Sequence, residues 1–265
     1  MFDYHLHSSL SFDSTQSMEE LVKAAEIAGL QEICITEHMD LDPNGLTHDM
    51  ELDFDRYEKS YADLLASHPR LVVRKGMELG VTPHQVGQCA KIAATHPMDF
   101  IICSLHFIDG YDPYYMDIYD KYSVSEVYWL YLRDLADCLC QYKDYDVVGH
   151  IGYPSKYFRG KHPSAFRYED FPDQLDQILK TIISDGKGIE INTSGFDKLG
   201  DFIPSRSILA RYRELGGRIV TVGSDAHAPE KVGHHIQKAL QLLKEMGFDS
   251  VYTFAQLIPI PHSLP

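Results

Sequence analysis

The chain has 265 residues, 44% of them hydrophobic, and a formal net charge of −15. That length can bury one large core, and a single domain over residues 1–265 is expected. The acidic balance argues against a basic nucleic-acid surface, and no apolar run is long enough to span a membrane.

No basic segment followed by an apolar one precedes the first strand, so a cytoplasmic protein is expected. The five cysteines include no CxxC pair, which leaves neither a zinc ribbon nor a disulfide framework.

The first predicted strand, Phe2 to Ser8, carries His5 and His7. Side chains alternate along a strand, so both imidazoles project to one side, with Leu6 opposite. After a loop through Asp13, Ser17 caps a helix with Glu20 at capping-box spacing, and Gly29 ends it. Glu32 to His38 reads as the second strand, apolar in the middle and polar where it emerges. A polar loop and a helix over 54–67 follow, then a third strand from Leu71 to Leu79 that carries Glu78. A helix over 84–95 leads to a fourth strand from Phe100 to His106.

The next loop, Asp109 to Tyr122, is rich in Tyr and Asp and reads as an aromatic lid or as surface packing. A helix over 125–142 precedes the fifth strand, Asp146 to His150. A basic loop, Lys156 to Arg167, and a helix over 172–185 lead to the sixth strand, Gly188 to Asn192. A loop and a helix over 204–215 precede the seventh strand, Arg218 to His227. One helix is expected over 229–246, then a short strand, Val251 to Phe254, and an irregular Pro-rich tail.

Strand and helix thus alternate about seven times, the pattern of parallel strands covered by helices. No Gly-rich phosphate loop follows the first strand, which disfavours a nucleotide-binding sheet and favours a barrel. Working residues of a barrel sit where strands exit at their carboxyl ends. Those exits carry His5, His7, His38, Glu78, His106, His150, Asp225 and His227, with Asp13 in the first loop. One histidine at a strand end is ordinarily a hydrogen-bonded loop residue. A cavity holding so many imidazoles and carboxylates calls for cations. The donors exceed the about four that one zinc ion takes, and suit two or three ions.

In order and spacing, His5-x-His7, Asp13, Thr36-Glu37-His38, Glu78, Ser104-Leu105-His106, Gly149-His150 and Ser224-Asp225-Ala226-His227 resemble the polymerase and histidinol phosphatase (PHP) family. The resemblance runs from residue 2 to about 227. Asp13 and the chain length are most similar to the stand-alone L-histidinol-phosphate phosphatase branch. It implies a distorted (β/α)7 barrel with a trinuclear metal centre at the carboxyl ends of the strands. The first ion would be held by His5, His7, Glu78 and Asp225, and the second by Glu78, His106 and His150, with Glu78 bridging. Asp13, His38 and His227 would hold the third. Zinc is expected, and mixed His and carboxylate donors also accept iron, manganese or cobalt.

The activity so implied is hydrolysis of L-histidinol phosphate, a small phosphate ester, in histidine biosynthesis. A hydroxide bridging the first two ions is expected to attack phosphorus. Asp225 and Glu78 are the candidate catalytic groups, Asp225 either as a ligand alone or also as a proton shuttle. Phosphate-binding candidates are Arg159 and Lys161, beside Lys156, in the loop after the fifth strand, and Ser194 and Arg206 after the sixth. Their alternative is an ordinary solvated loop. Glu37 and Glu190 are expected to orient ligands or to meet a substrate ammonium. A nuclease of the same family, or a metal-binding protein without catalysis, are the competing readings. No nucleic-acid or membrane partner is expected, and the oligomeric state is left open.

Overall fold

The structure is a computed structural model and describes residues 1–67, 69–157 and 166–264. Seven parallel strands form one sheet in the sequential order β1 to β7. They are β1 (Phe2–Asp3), β2 (Glu32–Met39), β3 (Val72–Gly80), β4 (Phe100–Ser104), β5 (Val147–Val148), β6 (Gly188–Asn192) and β7 (Val220–Gly223). The sheet closes on itself through β1 and β7. Tyr4 N–H donates to Val222 O at 3.0 Å, Asp225 N–H to His5 O at 2.8 Å and His7 N–H to Ala226 O at 3.1 Å. A bridge between Leu6 and Ala226 completes the seam. The result is the expected distorted (β/α)7 barrel.

Connecting helices cover the outside. They are α1 (Met18–Ile27), α2 (Phe54–Ala66), α3 (Val86–Thr95), α4 (Ile118–Lys121), α5 (Val124–Gln141), α6 (Pro172–Ser184), α7 (Phe196–Leu199), α8 (Arg206–Glu214) and α9 (Ile236–Glu245). The capping box at α1 is present, with Glu20 N–H donating to Ser17 Oγ at 3.2 Å and Ser17 N–H to Glu20 Oε2 at 2.7 Å. Helix α6 shows how these helices dock. Leu175, Ile178, Leu179 and Ile182 recur every three or four residues and are all fully buried. Among the described residues no helix is long and apolar enough to cross a membrane.

Several expected strands end early. The regular part of β1 stops at Asp3 and that of β7 at Gly223, not at Ser8 and His227. Beyond these points the backbone leaves the regular ladder, and Asp225 adopts a left-handed φ of 54°. Asp225 and His227 therefore reach one cavity through a distorted turn rather than by strand alternation. The helix expected over 229–246 is also broken. Pro229–Lys231 forms a 3-10 turn, and positive φ values at Gly233 (73°) and His235 (59°) delay α9 until Ile236.

The Pro-rich tail is not irregular. β8 (Ser250–Ala255) and β9 (Ile258–Ser263) form an antiparallel hairpin, with Pro259 opposite Phe254 and Pro261 opposite Tyr252. Two prolines at alternate positions both keep their missing N–H on one side of the strand, which an edge strand tolerates. The hairpin brings Phe254 onto an interior plug of Tyr4, Cys34, Phe100, Ile102 and Val147 at the amino end of the barrel.

Candidate metal centre

The opposite end of the interior is polar. Glu78, buried near the carboxyl end of β3 and in register with His38 on β2, sits at its middle. Its Oε2 lies 2.9 Å from His5 Nε2, 3.4 Å from His7 Nε2 and 3.3 Å from His38 Nδ1. Its Oε1 lies 2.8 Å from His150 Nε2 and 3.3 Å from His106 Nε2, and accepts a hydrogen bond from Ser104 Oγ at 2.6 Å. One carboxylate thus faces two separate groups of imidazoles.

Asp225 works the same way from the far wall. Its Oδ1 faces His7 Nε2 at 3.5 Å and His5 Nε2 at 3.7 Å, while its Oδ2 accepts from Lys156 Nζ at 2.7 Å. Ser194 Oγ and Asn192 Nδ2 each approach that second oxygen at 3.2 Å. Toward the opening, Asp13 Oδ2 stands 3.1 Å from His227 Nε2 and 3.7 Å from His38 Nε2.

A surrounding layer fixes the ring orientations. His5 Nδ1–H donates to Glu190 Oε1 at 2.6 Å, which turns Nε2 toward Glu78. The other oxygen of Glu190 accepts the His150 backbone N–H at 2.8 Å. His106 Nδ1–H donates to Asp40 Oδ1 at 2.8 Å, so its Nε2 also faces inward. Ser11 gives its single proton to Glu37 Oε2 at 2.6 Å, so it can only accept from His7 Nδ1, 3.1 Å away. His7 Nε2 is thereby turned toward the centre. Glu37 is further held by the Ser8 N–H at 3.0 Å. Both Glu37 and Glu190 thus orient the donor rings, as one of the two expected roles had it.

Electrostatics follow from this packing. Burial opposes charge on Glu78 and on Asp225, but the surrounding imidazoles, and Lys156 in the case of Asp225, outweigh it and hold both far below the usual carboxylate range. Burial likewise opposes protonation of His5, and Glu78, Glu190 and Asp225 outweigh it, raising its affinity for a proton well above that of a free imidazole. His106 is raised in the same way by Asp40 and Glu78 against burial. Burial would raise Asp13, yet His227 and His38 bring it down to about 2.

This donor set fits divalent cations. His7 Nε2, His38 Nδ1, Asp40 Oδ2 and His150 Nδ1 are buried without a well-formed hydrogen bond, a costly condition for polar atoms. Three-residue groups able to share one ion include His5, His7 and Asp225; Glu78, His106 and His150; and His7, His38 and His227. A cavity of about 450 Å³ opens over them, walled by Phe12, Tyr114, Tyr115, Tyr153, Tyr157 and Lys156. Tyr114 and Tyr115, from the loop read as an aromatic lid or as surface packing, border the site.

One expectation needs revision, and one residue is added. Arg206 does not reach the centre; it starts α8, its side chain is 60% exposed, and it pairs with Glu245 at 3.2 Å. The loop after β6 doubles back through a bridge between Asn192 and Ile203, carrying Arg206 to the outer surface. Asp40 was missed. Its signal was the His38-x-Asp40 spacing, the same as that of His5-x-His7. Ser194, a phosphate-binding candidate, has its Oγ 3.2 Å from Asp225 Oδ2. Arg159 and Lys161 lie outside the described residues.

Residues 3–194 match the model of the PHP domain. The chain belongs to the PHP domain family. A probable histidinol-phosphatase of Clostridium acetobutylicum is 32% identical over 95% of this chain and 96% of its own length. A histidinol-phosphatase of Lactococcus lactis is 30% identical over 96% of this chain and 94% of its own. The crystal structure of histidinol phosphate phosphatase from Lactococcus lactis, complexed with zinc, L-histidinol and phosphate, superimposes with a TM-score of 0.88. It is 28% identical, and the match covers 98% of each chain.

Proposed function

We propose that this PHP chain, acting as one domain over residues 1–265, is a histidinol-phosphatase. It is a metal-dependent phosphomonoesterase that hydrolyses L-histidinol phosphate to L-histidinol and phosphate in histidine biosynthesis. The observation that carries the reading is Glu78, each oxygen of which meets a different group of imidazoles. That is the arrangement of a carboxylate bridging two ions, and a paired-metal site is general machinery for phosphoester hydrolysis. The Lactococcus lactis phosphatase with zinc, L-histidinol and phosphate supports the substrate.

His5, His7, Glu78 and Asp225 would hold one ion, Glu78, His106 and His150 a second, and Asp13, His38 and His227 a third. Bound divalent cations polarise phosphoryl oxygens and make a water nucleophilic near neutral pH. Zinc is the proposed metal, in a cytoplasmic enzyme.

The chain's own residues do the rest. Glu190, Asp40 and Ser11 fix the rings of His5, His106 and His7 so that each Nε2 is aimed at the centre. Asp225 faces the imidazoles with one oxygen and Lys156 with the other, which supports a role for it in moving a proton between the centre and the leaving alcohol. Lys156 lies in the cavity wall, where burial disfavours its charge but Asp225 outweighs this and keeps it protonated. A phosphate entering beside Asp225 meets that ammonium, with Ser194 as a further donor. Arg159 and Lys161 complete the proposed phosphate contacts. Tyr114 and Tyr115 with Asp112 offer aromatic faces and a carboxylate to the imidazole and ammonium of histidinol.

The test is phosphate release from L-histidinol phosphate, beside p-nitrophenyl phosphate and a dinucleotide, on protein of measured metal content. A kcat/KM for histidinol phosphate orders of magnitude above the others is expected. Equal slow turnover of all three would remove the substrate assignment.

A further inference from the structure

Outside the centre, the loops after β6 and β7 bring a second set of donors together. Asp197 belongs to α7, and His234 and His235 directly precede α9. His235 Nε2 lies 2.7 Å from Asp197 Oδ1, and His234 Nδ1 lies 3.9 Å from Asp197 Oδ2. The two rings stack with centroids 3.9 Å apart and planes 19° from parallel. Side chains of consecutive residues ordinarily diverge. Here the left-handed φ of 59° at His235, uncommon for a non-glycine residue, accompanies rings that lie side by side. Donor atoms of all three residues fall within 4.8 Å of one another.

We propose that Asp197, His234 and His235 form a separate rim site for a divalent d-block cation, zinc or copper rather than magnesium or calcium. Two imidazoles and a carboxylate, with one position left to water, make an open zinc-type donor set, and imidazole selects these metals over harder cations. An ion bound at ordinary zinc distances holds tetrahedral donors about 3.3 Å apart. The observed separations of 2.7 and 3.9 Å lie on either side of that value, so small side-chain rotations admit the ion. Asp197 is 57% exposed and opens the site to solvent, while His235 is 11% exposed and anchors it.

Lys231 Nζ, 3.7 Å from Asp197 Oδ2 and itself 53% exposed, must swing aside. The rim site is therefore weaker than the central one. An ion there clasps the loop after β6 to the loop after β7. Those loops already meet where Thr193 Oγ1 donates to His234 O at 2.6 Å. Since Ser194 and Asp225 stand on the same two segments, the ion stiffens the rim beside the phosphate path.

The experiment is equilibrium dialysis of the metal-replete protein against rising free zinc, with metal quantified per chain. A Cu²⁺ titration followed by electron paramagnetic resonance reads the donor type. Wild type is expected to take up one further ion at micromolar zinc and to show nitrogen coupling on copper. His234→Gln, Asp197→Asn and His235→Asn should lose that ion while retaining the central metals and turnover at low free zinc. Asn tolerates the left-handed backbone at 235, so that variant separates ligation from folding. No further ion in wild type, or an unchanged further ion in the three variants, overturns the site. Because the readout is metal stoichiometry, the result stands apart from whether histidinol phosphate is the substrate.

Discussion

The two ends of the barrel interior are filled by opposite chemistries. At the amino end Tyr4, Phe100, Ile102, Val147 and Phe254 form an apolar plug. Its polar atom, the Tyr4 hydroxyl, donates to Glu32 and accepts the Phe254 N–H at 3.1 Å. At the carboxyl end, imidazoles and carboxylates crowd together, and His7 Nε2, His38 Nδ1, Asp40 Oδ2 and His150 Nδ1 lack a well-formed hydrogen bond. The plug is built for stability, since every group there is either apolar or satisfied. The polar end stores uncompensated groups that only added cations satisfy. Mutations at the two ends should therefore separate folding from turnover.

The largest effect is expected at Glu78. Glu78→Ala removes the carboxylate shared by five imidazoles, and kcat/KM should fall by more than about 10³-fold with loss of bound metal. Metal analysis beside kinetics checks this, and near-normal turnover at full metal content would refute the bridging role. The opposite end should behave in reverse. Phe254→Ala empties part of the plug and should cost about 3–5 kcal/mol of stability, measured by denaturant unfolding. Turnover per folded molecule should be unchanged.

A smaller loss tests the orienting layer. Glu190→Gln and Asp40→Asn each leave the donors in place but loosen the tautomer of His5 or His106, so metal affinity or kcat should fall about 10–100-fold. A loss as large as that of Glu78→Ala would mean that these carboxylates are ligands themselves. Asp40 is the more informative of the two, because its second oxygen is unpartnered and lies 3.2 Å from His38 Nδ1.

Much of this was legible in the sequence, for identifiable reasons. Strands buried on both faces read as apolar runs, which is why Gly188 to Asn192 was bounded correctly as β6. His38, His106 and His150 were found because each follows such a run, and His5 and His7 because of their alternate spacing. Asp40 was overlooked because Asp40-Leu41-Asp42-Pro43 also reads as turn chemistry, and Asp42 does cap that turn through the Asn44 and Leu46 N–H groups. Arg206 was misplaced because loop length alone does not reveal that residue 203 folds back onto residue 192. The hairpin at the tail was hidden because two prolines suppress a strand signal unless their alternate spacing is weighed.

The last way to sharpen the comparison is pH. In the metal-free protein His5 and His106 take up a proton more readily than free imidazoles, because the neighbouring carboxylates outweigh burial, and His227 is raised likewise against burial by Asp13 and Asp225. Imidazoles raised in this way stabilise the metal-free fold below their unfolded value near 6.5, and that contribution fades as pH rises through their folded values. Metal binding has the opposite slope, since each ion must displace those protons. Affinity should rise about tenfold per pH unit for each proton displaced, and should keep rising above the ordinary imidazole range. A competition titration with a chromophoric chelator at pH 6, 7 and 8 measures it, and the melting-temperature gap between metal-loaded and metal-free protein should widen in the same direction. Affinity that is flat from pH 7 to 8 would show that the imidazoles are already neutral, and that the carboxylates do not hold protons at this end of the barrel. The apolar plug contains no group that titrates in this window, so the stability lost in Phe254→Ala should stay constant across it.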